Sequence, residues 1–293
     1  MHTLRPNLDR RRFLTLAAAA AAGAAGVAAS SGASRALAAA TEAQRHIPRS
    51  AIGMHLYTMR RSLAADTPAT YQALADIGYA TIGVSGRHGY SAQQLRSQAD
   101  NVGLKVVLEH VGYDRLRNNW EGALEDVRTL GGQWVVIPSL PGSLHTPDGF
   151  RQAAEEFNVA GEQARQAGLT LLFHNHGNDF DTVGGELLYD ILLAETEPQL
   201  VGFLLDVYWC VDGGYDPADY FVNHQGRFPS LHVKDMSRSG DFADVGSGVL
   251  DFATMFDQAR PAGVKQWLVE HDNPTNDLAT ARRSYEHLVN LRY

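Results

Sequence analysis

The sequence predicts an α/β protein whose single domain is a closed (β/α)8 barrel, or TIM barrel. Eight short apolar runs recur about 31 residues apart, and about 30 residues are needed for one strand, one crossover helix and two loops. If the first forty residues are a leader, 253 remain, close to the ~250 of a typical barrel. No glycine-rich dinucleotide fingerprint follows the first run, so an open doubly wound sheet is the less favoured alternative.

The eight apolar runs are predicted to be parallel strands, each followed by a helical pattern. They cover residues 51–57, 79–84, 104–110, 133–138, 169–175, 200–207, 230–235 and 265–271. Capping residues mark several helix starts. Thr67, Thr146 and Asp216 each precede a proline, which is favoured at the first helical position. Ser91 and Gln94 have the spacing of a capping box.

The start of the chain has the pattern of an export signal. Residues 10–14 read Arg-Arg-Arg-Phe-Leu and are followed by an alanine-rich stretch with no charge before Arg35. This order resembles a twin-arginine signal, and small residues around Ala38 suit a signal peptidase. An uncleaved membrane anchor is the alternative, but alanine contributes little to membrane transfer. We therefore expect no stable membrane insertion after cleavage.

These features predict three segments. Residues 1–40 form a twin-arginine-type signal peptide, residues 41–50 a linker and residues 51–293 the barrel. The mature protein is expected in the periplasm or outside the cell. Metabolites confined to the cytosol would then not be its natural substrates.

Charge and cysteine content exclude several classes of protein. The whole chain carries −8, and the first forty residues carry five arginines against Asp9, so the remainder is near −12. A nucleic-acid partner is disfavoured, because such proteins need a cationic surface. Cys210 is the only cysteine, which rules out an intramolecular disulfide and a cysteine-based zinc cluster.

Four polar residues end successive strands in the second half of the chain. His174, Asp206, His232 and Glu270 are 32, 26 and 38 residues apart, roughly one per βα unit. In a barrel, the carboxyl ends of strands carry the reactive groups, and a carboxylate closing an apolar run needs a cation or several donors. We predict that these four residues hold one divalent metal ion. The donor set suits Mn²⁺, our first expectation, and also Co²⁺, Zn²⁺ or Mg²⁺.

Each of these residues also has a simpler interpretation. Asp206 alone would serve to cap a loop, and a strand histidine such as His232 is often a satisfied core group. His174 and His176 share one face of their strand, so only one of them need contact the metal, and we assign His174. Trp209 and Tyr57 are interpreted by default as core or pocket-wall residues.

These residues and their neighbours carry a family resemblance. The chain from about residue 51 to 293 resembles the xylose isomerase-like TIM-barrel superfamily, in its sugar phosphate isomerase/epimerase branch. The matching segments are GMHLYTMR at 53–60, FHNH at 173–176, LDVYW at 205–209, HVKD at 232–235, VGSGVLDF at 245–252 and VEHD at 269–272. The resemblance implies one divalent metal held by Glu, Asp, His and Glu from strands five to eight. This sequence departs at the first position, where His174 replaces glutamate. Asp179 stands where the His-Asn-His variant often has glutamate.

The resemblance implies proton abstraction next to a carbonyl and a metal-stabilised enediolate. Related epimerases use two opposed glutamates, but here only Glu270 remains of that pair. The opposite acid or base would therefore be His174, His176 or Asp179, and our catalytic assignment is Glu270, His176 and His174. The residues predicted to contact substrate are His110, Lys234, Tyr57, Trp209 and Asp179.

The leading hypothesis is a metal-dependent isomerase or epimerase of an unphosphorylated sugar or polyol derivative. A lyase or hydrolase of 3-keto-glycosides would begin with the same proton abstraction and is the runner-up. A non-catalytic exported sugar-binding barrel is the alternative from another class. The apurinic endonuclease branch of the superfamily needs several metals and a cationic surface, which the negative charge opposes. A homodimer is compatible with the resemblance.

Overall fold

The structure is a computed structural model that describes residues 45–293, and the predicted signal peptide at residues 1–40 lies outside them. Eight parallel strands close into a barrel, which confirms the predicted fold. Each strand falls within one predicted run. They are β1 Ile52–His55, β2 Thr81–Val84, β3 Lys105–His110, β4 Trp134–Ile137, β5 Thr170–His174, β6 Val201–Asp206, β7 Ser230–Val233 and β8 Gln266–Val269. β1 pairs with β8 and closes the barrel.

Helices connect successive strands. They are α1 Arg60–Ala65, α2 Thr67–Ile77, α3 Ala92–Asn101, α4 Tyr113–Asn118, α5 Trp120–Leu130, α6 Pro147–Gln166, α7 Leu188–Glu195, α8 Val207–Asp212, α9 Pro217–Asn223, α10 Phe252–Gln258 and α11 Asp277–Asn290. Single turns of 3-10 helix cover Arg49–Ala51, Gly142–Leu144, Gly177–Phe180 and Arg260–Ala262. Two short hairpins pair Thr182–Val183 with Glu186–Leu187 and Asp235–Met236 with Phe242–Ala243. From residue 45 onward, no helix combines the length and apolar character needed to cross a membrane.

The helix caps follow the sequence with one exception. Thr146 and Asp216 cap α6 and α9, and Ser91 forms the predicted capping box of α3. The prediction for α2 is wrong by one residue, because the side chain of Asp66 caps the helix and Thr67 is its first residue. The Thr67 hydroxyl instead donates to the carbonyl of Leu63.

Alternation along the strands places polar groups above the barrel core. A cluster of buried apolar residues drawn only from strands includes Leu172, Leu204 and Leu268, and it fills the barrel interior. Side chains two positions apart point to the same face of a strand. The residues two positions further on are therefore interior as well, and they are His174, Asp206 and Glu270.

Candidate metal and active site

The structure brings the four predicted ligands together at the carboxyl ends of β5 to β8. One nitrogen or oxygen atom of each of His174, Asp206, His232 and Glu270 lies within 4.8 Å of those of the others, and all four residues are buried. Asp206 Oδ2 is 3.6 Å from His174 Nε2 and 3.7 Å from His232 Nδ1. Glu270 Oε2 is 2.8 Å from His232 Nδ1.

The inward-facing atoms of this cluster fit a divalent cation. Among the residues the structure describes, none forms a hydrogen bond of good geometry with His174 Nε2 or His232 Nδ1. The other two atoms, Asp206 Oδ2 and Glu270 Oε2, face the Lys234 ammonium. Buried polar atoms without such partners are costly. Ligand atoms about 2.0–2.2 Å from a tetrahedral ion lie roughly 3.4 Å apart, similar to the separations found here. Two carboxylates and two imidazoles therefore form a suitable ligand set.

A hydrogen bond behind the cluster fixes one of the ligands. His174 Nδ1 is 3.1 Å from the carbonyl oxygen of Pro138, and a carbonyl oxygen only accepts hydrogen bonds. Nδ1 therefore carries the proton, so the lone pair of Nε2 faces Asp206 and His232. Partners of this kind orient metal-ligating histidines in proteins.

Lys234, predicted from the sequence to contact substrate, is buried beside the same carboxylates. Its ammonium nitrogen is 2.7 Å from Asp206 Oδ2, 2.9 Å from Glu270 Oε2 and 2.8 Å from Asp272 Oδ1. Burial alone favours the neutral amine, but these three carboxylates outweigh burial and raise the pKa of Lys234 above its ordinary value. The charged ammonium compensates a pocket that otherwise carries an excess of negative charge.

His55, at the end of β1, contacts the cluster although no role was predicted for it from the sequence. Its Nδ1 donates to Glu270 Oε1 at 2.7 Å, and its ring centroid lies 4.4 Å from that of His232. Burial lowers the pKa of His55 to about 4, although the adjacent Glu270 carboxylate opposes this effect. His55 follows Gly53 by two positions and so shares its interior face, where a Cβ added to Gly53 would meet Leu268.

Of the other predicted substrate residues, His110 and Trp209 border the cluster and Tyr57 points elsewhere. His110 Nε2 and Trp209 Nε1 are buried and have no hydrogen-bond partner within residues 45–293. The Trp209 ring lies 5.7 Å from that of His176, which in turn packs edge-on against His174. Tyr57 is 40% exposed and stacks under the guanidinium of Arg60, so it has the environment of a rim or surface residue.

Asp179 is buried behind His176. Its Oδ2 accepts a hydrogen bond from the backbone nitrogen of His176 at 2.7 Å, and its Oδ1 is 3.8 Å from His145 Nε2. Burial raises the pKa of Asp179 to about 7. The same effect lowers the pKa of His176 to about 3. Near neutral pH, the His176 imidazole is therefore neutral, and the Asp179 carboxyl group titrates in the same range.

Asp179→Asn is expected to flatten the pH dependence of stability. Because the folded-state pKa is raised, the contribution of Asp179 to stability is fully present below about pH 4 and is lost as the pH rises through about 7. Asparagine has no charge to bury and still accepts the hydrogen bond from His176. We expect the Tm of Asp179→Asn to rise relative to that of the wild type between pH 5 and pH 8. The measurement is thermal unfolding of chelator-treated protein. Exposed Asp114→Asn is the control, and a constant Tm difference for both variants would contradict the prediction.

Asp235, the residue after Lys234, holds a loop and does not face the cluster. Its Oδ2 accepts hydrogen bonds from the backbone nitrogens of Gly246 and Gly248, both at 2.9 Å. Its Oδ1 accepts one from the nitrogen of Met236 at 2.8 Å. The amides of the Gly246-Ser247-Gly248 turn are thus already used within the protein.

A closed barrel with a buried cluster of His, Asp, His and Glu at the carboxyl ends of its strands has the architecture of a TIM-barrel enzyme with a candidate metal site. The sequence profile of the xylose isomerase-like TIM barrel family matches residues 71–291. The chain belongs to that family, which confirms the superfamily resemblance.

Similar proteins include one named as a dehydratase and one named as an isomerase/epimerase. An inosose dehydratase of Geobacillus kaustophilus is 22% identical over 242 residues, which are 67% of this chain and 76% of that protein. The rhizopine catabolism protein MocC of Rhizobium meliloti is 26% identical over 284 residues, 78% of this chain and 83% of that protein. A solved sugar phosphate isomerase/epimerase of Parabacteroides distasonis is 25% identical with a TM-score of 0.73, covering 84% of this chain and 95% of that one.

Proposed function

We propose that this protein is a divalent-cation-dependent enzyme that removes a proton next to a carbonyl group of an unphosphorylated sugar or polyol derivative. The leading reaction is isomerisation or epimerisation. The observation that carries the proposal is the convergence of four buried ligand atoms, all within 4.8 Å of one another, at the carboxyl ends of adjacent strands. The family and its isomerase/epimerase relative support it.

A divalent cation held by His174, Asp206, His232 and Glu270 would polarise substrate oxygens and make the neighbouring C–H group more acidic. Glu270 is the proposed proton acceptor. Burial opposes its charge, but His232 and Lys234 hold the pKa of Glu270 well below its ordinary range, so it is a carboxylate at neutral pH. His55 fixes its orientation through Oε1.

His176 is the proposed partner that returns or delivers a proton. It is neutral near pH 7 because burial lowers its pKa, and its backbone nitrogen is anchored by Asp179. Its ring packs against both His174 and Trp209. We propose that the unpartnered indole N–H of Trp209, together with Lys234, binds substrate oxygens.

A lyase is the second candidate, and the inosose dehydratase relatives favour it. Elimination starts with the same step: a proton leaves the carbon beside the carbonyl. The C–O bond one carbon further on then breaks as a C=C bond forms, and the departing oxygen takes up a proton. Asp179, with its pKa raised to about 7 by burial, is the proposed source of that proton.

Solvent exchange tests the shared step. We would incubate Mn²⁺-treated protein in D2O with a panel of ketoses, inososes and 3-keto-glycosides and follow carbon-bound deuterium by NMR. Exchange with recovery of an isomer supports the leading reaction, and an unsaturated product or a released aglycone supports the lyase. No exchange on any compound would count against both. Sugar binding that survives Glu270→Gln and chelation, measured by calorimetry, would instead support a non-catalytic sugar-binding barrel.

We also propose that the protein acts outside the cytoplasm. The proposal rests on the twin-arginine pattern at residues 10–14. Mass spectrometry of the extracytoplasmic protein should give a mature chain that begins near residue 41. A full-length chain confined to the cytoplasm would refute it.

A further inference from the structure

A second group of histidines lies next to the four-ligand cluster. One ring nitrogen of each of His55, His110 and His232 lies within 4.8 Å of those of the other two. The ring centroids of His55 and His110 are 4.1 Å apart, and those of His55 and His232 are 4.4 Å apart. The three residues come from β1, β3 and β7, so only the closed barrel brings them together.

The Nε2 atoms of these three rings have no hydrogen-bond partner in the part of the chain that the structure describes. All three are buried and make no hydrogen bond, either with each other or with another group there. Nδ1 of His55 donates to Glu270, so a neutral His55 presents the lone pair of Nε2. His232 Nδ1 faces Glu270 Oε2 at 2.8 Å, which leaves its Nε2 for His55 and His110.

We propose that Nε2 of His55, His110 and His232 forms a second cation site, distinct from the four-ligand site and sharing only the His232 ring with it. Three imidazoles without a carboxylate suit Zn²⁺, Co²⁺ or Cu²⁺ and are a poor match for Mg²⁺ or Mn²⁺, which prefer oxygen ligands. His110 then serves as a ligand through Nε2 and does not contact the substrate with that atom.

Sharing His232 makes the second ion the weaker of the two. A neutral imidazole has one nitrogen free of hydrogen, so using both nitrogens requires its last proton to leave to solvent as the second ion binds. The two positive ions also repel one another. We therefore expect sequential binding, with the four-ligand site filled first.

Metal stoichiometry tests this proposal without an activity assay. Untagged full-length protein would be dialysed against excess Zn²⁺ or Mn²⁺ and analysed for bound metal. We expect two Zn²⁺ but one Mn²⁺ per wild-type chain. His110→Phe keeps an aromatic ring, and His55→Asn keeps a donor for Glu270 while removing Nε2; each should bind one Zn²⁺. Titration with Co²⁺, followed by visible absorption, should show the same loss of one ion. The two variants should lack one absorption component that the wild type has.

Two further variants separate this site from the proposed function. Asp206→Asn should lose the first ion and keep one Zn²⁺ on the three histidines, even if no substrate is ever turned over. His224→Asn, which alters a half-buried histidine stacked on Tyr220, should still bind two. A wild-type chain that binds one Zn²⁺ in excess metal would overturn the proposal. So would two Zn²⁺ retained in both folded variants, His110→Phe and His55→Asn.

Discussion

Glu270→Gln is expected to abolish tight metal binding and turnover while the barrel stays folded. Glutamine keeps the size of the side chain and an oxygen that accepts the His55 hydrogen bond, but it lacks the charge that faces His232 and Lys234. Even outer partners of metal ligands change affinity by about 10–100-fold, so losing a ligand should cost at least ~100-fold. Losing the proposed proton acceptor should lower kcat by roughly 10²–10⁴-fold. Asp206→Asn should lose metal in the same way.

The matched control is Glu109→Gln, a second buried glutamate at a strand end. Its carboxylate pairs with Arg87, at 2.7 Å and 2.8 Å, and not with the cluster. After loading with Mn²⁺, elemental analysis should find the wild-type metal content in Glu109→Gln and no bound metal in Glu270→Gln. Circular dichroism should show both variants folded, because barrel stability resides mainly in the apolar layers. Glu270→Gln with unchanged metal content would contradict the ligand assignment.

Lys234→Met is expected to give the largest loss of stability of any variant considered. The side chain is 1% exposed, and its ammonium is the shared partner of Asp206, Glu270 and Asp272. Removing one partner of a buried ion pair costs about 3–5 kcal/mol, because the remaining charge has no compensation. For a domain of this size that is roughly 10 °C in Tm. The measurement is thermal unfolding of chelator-treated protein.

A divalent cation should reverse much of this loss. Asp206 and Glu270 would regain a positive partner, so Mn²⁺ should raise the Tm of Lys234→Met by more than it raises that of the wild type. Lys265→Met, an exposed lysine just before β8, should change the Tm little with or without metal. A Lys234→Met protein as stable as the wild type without metal would show that the buried ammonium is dispensable.

Local sequence patterns were sufficient to predict the eight strands and the four-ligand set. Each strand is a short apolar run bounded by turn residues, and eight runs at near-equal spacing specify closure. The ligands were predictable because residues such as Asp206 and Glu270 interrupt apolar runs at the position where a barrel strand ends. The Thr67 cap was mispredicted because Asp66, one residue earlier, is an equally good capping residue and the sequence alone does not rank the two.

Roles that depend on distant partners were not predictable. His55 lies 215 residues from Glu270 along the chain, and no periodicity links them. Lys234 was predicted to contact substrate, and the sequence did not indicate its three carboxylate partners, which come from β6 and from the segment after β8. Asp235 looks like part of the same motif, yet it binds the backbone of its own loop.

The order of residues along the chain determined the secondary structure, the repeat and the set of ligand types, because each depends on spacing within one βα unit. Closure of the barrel decided which of those side chains meet, since β1 reaches β8 only when all eight strands are in place. It thereby set Lys234 among three carboxylates and His55 against Glu270. Charges and protonation states in the pocket depend on distances between strands, and those distances exist only in the folded barrel.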